Sequence, residues 1–406
     1  MATELPHLAN LRSRLTTVEP TVADGKITVS PANTEEVAVI TRYANEQALT
    51  IEILGAGTKR AMGNPVSTDI LLDMSRLTGV VSHSWQDLTA TVAAGTTWAT
   101  MQRALALHHQ HVALDPLWPE TATVGGITAT NDSGALRLKY GSLRDLIIGM
   151  TIVLADGTIA RSGGKVVKNV AGYDLHKLMT GAFGSLGVIT EVTFRLHPIP
   201  AQTRNWTVSS PASGPLGTLM MMVLDSQLST QAMQLRAAGE GYALDVQLAT
   251  LPEVLTLQTA AHERFERRVS TQSSAALSIS SSSDSNLFRA REHLFAASGC
   301  VIAKATMLPS SIASLSAEVV RLGGSAVTQA TGIMYARFSD DAATIAVPGL
   351  RASVEAAGDG SVTVLRSTSG LQPPWGAMQA TPLMHEIKRQ FDPNRVLNPG
   401  RFVGGV

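Results

Sequence analysis

The sequence predicts an α+β protein of two or three domains, and three observations predict it. Strand and helix signals alternate from Lys26 to Leu105, and a late strand, Gly187–Leu196, sets Val188, Val192 and Phe194 against Glu191, Thr193 and Arg195. Between them lies 112–145, crowded with Pro116, Pro119, Gly125, Gly126, Gly134 and Gly141. A long stretch with little regular structure inside a compact domain is usually functional. Finally, 406 residues with 44% apolar and 16% charged side chains hold more core than one domain uses.

The elements follow in order. Residues 1–20 read as a loosely tied arm, and Lys26–Ser30 as a short strand. Asn33 can cap a helix, with Glu36 three residues on completing a capping box and Val37, Ile40, Tyr43 and Ala44 recurring on its inner face. Ile51–Leu54 is a strand ending in the glycine loop Gly55–Gly63, and Ile70–Met74 and Thr89–Ala93 are further strands. A helix after Thr96 sets Trp98, Met101 and Leu105 on one face. Thr151–Ala160 reads as a hairpin around Asp156-Gly157, and Tyr173–Met179 as a short helix. Beyond His197-Pro198-Ile199-Pro200 the signals weaken: Met221–Leu224 and Tyr242–Leu248 read as strands, Leu287–Ala297 as helix, and the serine-rich 273–285 as a solvated loop. A last helix from Pro382 presents Leu383, Ile387 and Phe391, then stops at Asp392-Pro393. The division expected is 1–203, 204–370 and a tail, 371–406.

Composition excludes several functions. Lys+Arg and Asp+Glu both number 32, which argues against a nucleic-acid binder and against a charged disordered chain. Cys300 is the only cysteine, so the chain cannot build an internal disulfide or hold an iron–sulfur cluster on its own thiolates, and one thiol fits a reducing compartment. Met1–Leu15 carries Glu4, Arg12 and Arg14 without an apolar block, and Leu146–Ala155 and Leu219–Leu224 are too short to span a bilayer. A cytoplasmic protein is expected.

Three segments carry chemistry. In Gly55-Ala56-Gly57-Thr58-Lys59-Arg60 the third glycine of a Rossmann fingerprint would fall on Arg60, so that fingerprint is absent, and no Walker loop exists anywhere. What remains is a glycine loop with backbone N–H groups and two cations, suited to a diphosphate or serving only as a turn. The second segment, Asp115 to Gly134, offers hydroxyls, an amide and glycines as neutral donors. The third, Ser162 to Leu175 followed by Gly181 to Glu191, again brings glycines, cations and a helix start together. His108, His109 and His111 are adjacent at a helix end without companions for a metal, and Ser162-Gly163-Gly164-Lys165 matches S-x-x-K by chance.

In this order and spacing the segments resemble the FAD-binding domain of the vanillyl-alcohol-oxidase and p-cresol-methylhydroxylase superfamily, over residues 20–200. The tail Phe391 to Phe402, with Leu397-Asn398-Pro399-Gly400, resembles the C-terminal signature of its FAD-linked oxidases. Gly164 to Leu175 is most similar to bacterial glycolate oxidase, in particular the smaller of its FAD-binding subunits. The resemblance implies a two-part PCMH-type FAD-binding domain, an α+β cap domain on an antiparallel sheet, and a tail returning to the FAD domain.

It also implies roles. Gly55, Ala56, Gly57, Thr58, Lys59 and Arg60 would hold the FAD diphosphate. Pro119, Thr123, Val124, Gly125 and Gly126 would line the diphosphate and ribityl chain, and Asn131, Ser133 and Gly134 would pass near the flavin ring. Val188 and Ile189 would meet the adenine end, Lys168 and Tyr173 would sit toward the isoalloxazine as candidate catalytic residues, and Asn398 and Arg401 would return from the tail. Some relatives attach FAD covalently through a histidine near the first loop or through a cysteine. Here no histidine lies between His7 and His83 and Cys300 is remote, so noncovalent FAD is expected. His262, His293 and His385 are isolated, so no metal is expected. The activity implied is hydride transfer from glycolate, a 2-hydroxy acid, to FAD, giving glyoxylate. A second flavoprotein subunit and an iron–sulfur subunit are the implied partners, with no nucleic acid, no direct membrane insertion, and any contact with the inner membrane made through those partners. A stand-alone D-lactate-type dehydrogenase and a non-catalytic flavin-binding partner are the alternatives.

Overall fold

The computed structural model describes residues 4–164, 173–239, 241–273, 277–282, 286–358, 360–367, 374–376 and 381–406. The chain forms two compact units: residues 1–132, 142–199 and 377–406 make the first, and 133–141 with 200–376 the second.

Two larger sheets organise the first unit, besides the two-residue pairing of Gln110–His111 with His197–Pro198. In the smaller, Lys26–Val29, Ile70–Asp73 and Ile51–Leu54 run parallel, and Thr21–Ala23 pairs antiparallel on the outer side of Lys26–Val29. Helix Thr34–Glu46 crosses between the parallel strands and buries Val37, Ile40, Tyr43 and Ala44 against Ile27, Val29, Ile70 and Leu72. Each such side chain contributes about 1.5–3 kcal/mol by leaving water. Asn33 caps the helix by accepting from the Glu36 N–H at 2.8 Å. The expected box does not close, because the Glu36 carboxylate accepts from the N–H groups of Ala32 and Thr17 instead. It thereby ties down the N-terminal segment. That segment is a helix, Glu4–Arg14, rather than a loose arm, and its Leu11, with Leu15 and Val18, is buried in the same core.

The second sheet is antiparallel, in the order Val80–Ser84, Thr89–Ala93, Val188–Arg195, Ile147–Val153, Ile159–Gly163. The last two strands are the hairpin at Asp156-Gly157, where Gly157 takes φ +82°. Segment 112–145 is more regular than its composition suggests. It contains the short helices Val124–Thr130, Arg137–Tyr140 and Leu143–Leu146.

The second unit is built on an eight-stranded antiparallel sheet with its longer helices against one face. The expected strand Met221–Leu224 is the end of helix Ser213–Leu224, where Leu216, Leu219, Met220 and Val223 are buried. A short apolar run does not distinguish strand from helix. Within the serine-rich stretch, Ser278–Ser282 is an exposed edge strand held by its ladder to Gln202–Ser210. Backbone pairing decided it, since none of its side chains is buried. Among the described residues no helix is long and apolar enough to cross a membrane.

The tail rejoins the first unit. Ile51 N–H donates to the Val396 carbonyl and Asn398 N–H to the Ile51 carbonyl, so 396–398 lies beside Ile51–Leu54. Helix Thr381–Phe391 turns Lys388 inward, whereas Leu383, expected on its apolar face, is 62% exposed.

Candidate cofactor-binding site

Strand Ile51–Leu54 delivers the chain into the Gly55 loop, and Thr123 faces that loop across the first unit. Thr123 caps helix Val124–Thr130, its hydroxyl accepting from the Gly126 N–H at 3.2 Å. A β-carbon at Gly55 would fall 2.4 Å from that hydroxyl oxygen, so glycine is required there by close approach. Gly125 is held by its N–H to the Ala94 carbonyl at 2.7 Å, and a β-carbon would meet the Ala94 methyl at 2.9 Å. Glycines thus bring two backbone segments to where a methyl group would already fill the space.

Two adjoining hollows open over this cradle and share Ile53, Gly55, Thr123, Gly126, Phe183 and Asn398. One is mostly apolar, with Met74, Ala94 and Ile189 in its wall. The other carries Lys59, Arg60 and Arg401. An elongated ligand with an anionic middle fits this pairing, because N–H groups and cations surround one part and apolar walls the other.

The cations are organised by Glu52, only 2% exposed. Arg60 grips its carboxylate with Nε and Nη2, both at 2.8 Å, Lys26 Nζ lies at 3.3 Å and Arg401 Nη1 at 3.9 Å. Burial alone would raise the Glu52 pKa, but the hydrogen bonds and charges of Arg60 and Lys26 outweigh it and hold the carboxyl below its ordinary value. Arg401 also donates to the Arg60 carbonyl, clasping the loop to the tail. Lys59, 7% exposed, pairs with Asp132 Oδ2 at 3.4 Å and lies over the Trp118 ring.

Of the residues singled out in the sequence, Gly55 to Arg60, Thr123, Gly125, Gly126 and Ile189 line the two hollows together, with Asn398 and Arg401. The other described ones do not line them. Pro119 uses its carbonyl to accept from Ala99 N–H, and Val124 and Val188 are fully buried in the core. Asn131 takes a left-handed backbone at φ +48°, with its Oδ1 buried and unbonded. Ser133 and Gly134 belong to the second unit, where the Ser133 carbonyl accepts from Arg291 and Gln329, each at 3.1 Å. Lys168 lies outside the described residues. Tyr173 is 90% exposed, and its carbonyl accepts from the Ser162 hydroxyl.

Sequence reasoning assigned no role to Met74, Ala94, Phe183 or Gly184. A β-carbon at Gly184 would meet Asn398 Nδ2 at 2.8 Å, and that same amide donates to the Phe183 carbonyl while its oxygen accepts from Ile53 N–H. The glycine run 181–187 was the only signal. His108 packs in an aromatic cluster, stacked on Trp85 and edge-on to His83. Among the described residues no group of three or more His, Cys, Asp or Glu is arranged for a metal ion.

Residues 25–163 match the family described as FAD binding domain. The chain is 38% identical over 192 residues to D-lactate dehydrogenase of Archaeoglobus fulgidus, covering 47% of this chain and 42% of that one. It is 39% identical over 149 residues to glycolate oxidase subunit GlcE of Escherichia coli, covering 36% and 42%. The chain therefore spans about two fifths of the length of these curated relatives. Its fold is that of p-cresol methylhydroxylase, with a TM-score of 0.72 at 17% identity over 98% of this chain and 92% of that one.

Proposed function

We propose that this chain, an FAD-linked flavoprotein built on the p-cresol methylhydroxylase fold, is the FAD-binding subunit of a glycolate oxidase complex and oxidises glycolate to glyoxylate. The observation that carries the reading is the cradle itself. Gly55 and the Thr123–Gly126 turn meet where a methyl group would not fit, beside a cation cluster fixed by Glu52. FAD, when bound, supplies the two-electron acceptor for the hydride leaving the alcohol carbon.

The chain's own residues bind and orient. The backbone N–H groups of the Gly55 loop, Lys59 and Arg401 would hold the diphosphate, and the apolar wall that includes Ile189 would meet the adenine end. The loop runs Lys59-Arg60 with no histidine beside it, which supports noncovalent FAD. Lys168 and Tyr173 are the proposed substrate residues, one facing the carboxylate and the other taking the hydroxyl proton. We assign 1–203 to FAD binding, 204–370 to the substrate side and 371–406 to the returning tail. A second flavoprotein subunit and an iron–sulfur subunit would carry the electrons onward, the complex being cytoplasmic or held at the inner membrane by those partners.

Similarity to a D-lactate dehydrogenase favours a second reading, a stand-alone D-lactate-type enzyme. A non-catalytic flavin-binding partner is the third, favoured by the exposure of Tyr173. The test is the visible spectrum of the purified chain under anaerobic conditions. Bleaching by glycolate in preference to D-lactate supports the first reading, and the reverse supports the second. A flavin spectrum that neither acid bleaches points to the third, and a colourless protein that refuses added FAD removes all three.

A further inference from the structure

The second unit carries a groove that the proposed function does not use. It crosses six consecutive strands of the eight-stranded sheet, from Ser278–Ser282 to Ile333–Ser339. The register aligns its floor. Ser278 stands opposite Ser209, Ser209 opposite Ala243, Ala243 opposite Arg236 and Arg236 opposite Val327. Directly paired residues share a face, so this is one transverse row. Their strand neighbours Val208, Leu244 and Leu235 point the other way, into the core beneath the helices. Ser325 and Arg337, paired next to the row, complete the floor, and helix Ala290–Ala296 walls one side with the exposed His293.

The charge of this groove is one-sided. Arg236, Arg337 and His293 line it, and no carboxylate does among the described residues. Arg236 is already paired with Asp245, which stands on the same face one pair along the strand, bidentate at 2.7 and 2.9 Å. The Arg337 side chain is half-buried, and its guanidinium makes no hydrogen bond or ion pair among the described residues. The Ser325 hydroxyl beside it is buried without a partner. A half-buried guanidinium and a buried hydroxyl on one groove floor are donors awaiting an acceptor.

We propose that this groove docks an acidic segment of a partner polypeptide in extended form. Length selects a polypeptide over a single ion. Six strands at about 4.8 Å spacing give a floor of about 24 Å, which about seven extended residues at 3.3 Å each would span. Complementary charge selects the sequence: carboxylates on the segment would meet Arg337 and reach His293.

The probe is a fluorescently labelled octaglutamate peptide titrated with the full chain, read by anisotropy, with a Gly-Ser peptide of equal length as control. Octaglutamate should bind and the control should not, with affinity falling as salt rises. Arg337→Gln should weaken binding about tenfold, and Arg337→Lys should restore part of it. His293→Glu, on the exposed side of its helix, gives a second reading should the arginine variant fail to fold. No binding of octaglutamate, or binding indifferent to both variants, overturns the proposal. Displacement of the peptide by an equimolar amount of inorganic phosphate also overturns it, in favour of a small-anion site. None of these readouts depends on FAD.

Discussion

Lys388 and Asp392 form a buried ion pair at 2.7 Å, one helical turn apart, at the point where the C-terminal tail re-enters the first unit. The lysine also donates to the carbonyls of Ser185 and Leu397, and the aspartate accepts from the N–H groups of Val396 and Leu397. One pair thereby fixes the helix, the glycine-rich 181–187 segment and the strand-like tail that presents Asn398 to the cradle. Burial pushes the lysine pKa below its ordinary value, and Asp392 partly restores it. Asp392→Asn would leave the lysine charge buried without its carboxylate and should cost about 3–5 kcal/mol. Lys388→Met should cost a similar amount. The double variant should lose less than the two single losses combined, which urea denaturation of all four proteins checks.

Gly55→Ala should weaken FAD binding by at least about tenfold, because its methyl group would occupy the Thr123 hydroxyl position. Adding Thr123→Ala should recover part of the affinity, whereas adding Thr123→Ser, which keeps the oxygen, should not. Quenching of free FAD fluorescence on titration with apoprotein distinguishes the three.

Glu52→Gln should loosen the same site without touching the ligand. It removes the charge that anchors Arg60 and leaves Lys26 and Arg401 without a common partner. The folded carboxyl titrates below its ordinary 4.5, so its contribution is complete above that pH and is lost as pH falls through the lower folded value. The wild type should therefore lose stability below about pH 4.5 more steeply than Glu52→Gln, as thermal midpoints between pH 3 and 6 would show.

His111 gives a second acid limb. It faces His197 across a two-residue antiparallel pair. Burial, with the His197 charge adding, pushes its pKa down from 6.5 to about 4. The folded state thus favours the neutral ring. Its contribution is whole above pH 6.5 and declines toward pH 4, at up to about 1.4 kcal/mol per pH unit. His111→Asn should flatten the stability profile across that window. A profile unchanged by the substitution would assign the decline to other groups.

Tyr173→Phe separates the catalytic proposal from a surface role. A residue that takes the substrate proton should lower the anaerobic rate of flavin reduction by about 10²–10⁴-fold and shift its pH profile. Tyr173 is 90% exposed, so an unchanged rate would remove it from the mechanism and leave the proton to a group nearer the cradle.

The sequence by itself determined what local physics determines. Asn33 capped a helix, Asp156-Gly157 turned a hairpin, and Gly55, Gly125 and Gly126 marked where backbone must approach backbone. Those signals need no knowledge of distant residues. Tertiary structure decided the rest, because the deciding partner lay far along the chain. Glu36 abandoned its own helix cap for Thr17, and Ser278–Ser282 became a strand only because Gln202–Ser210 offered an edge. Lys388 turned inward because Ser185, Asp392 and Leu397 together satisfied its charge. Arg60, in a loop suited to an anion, turned its Nε and Nη2 donors to Glu52, eight residues back and buried. A buried charge is settled by every partner that reaches it, and most of these partners were gathered by the fold.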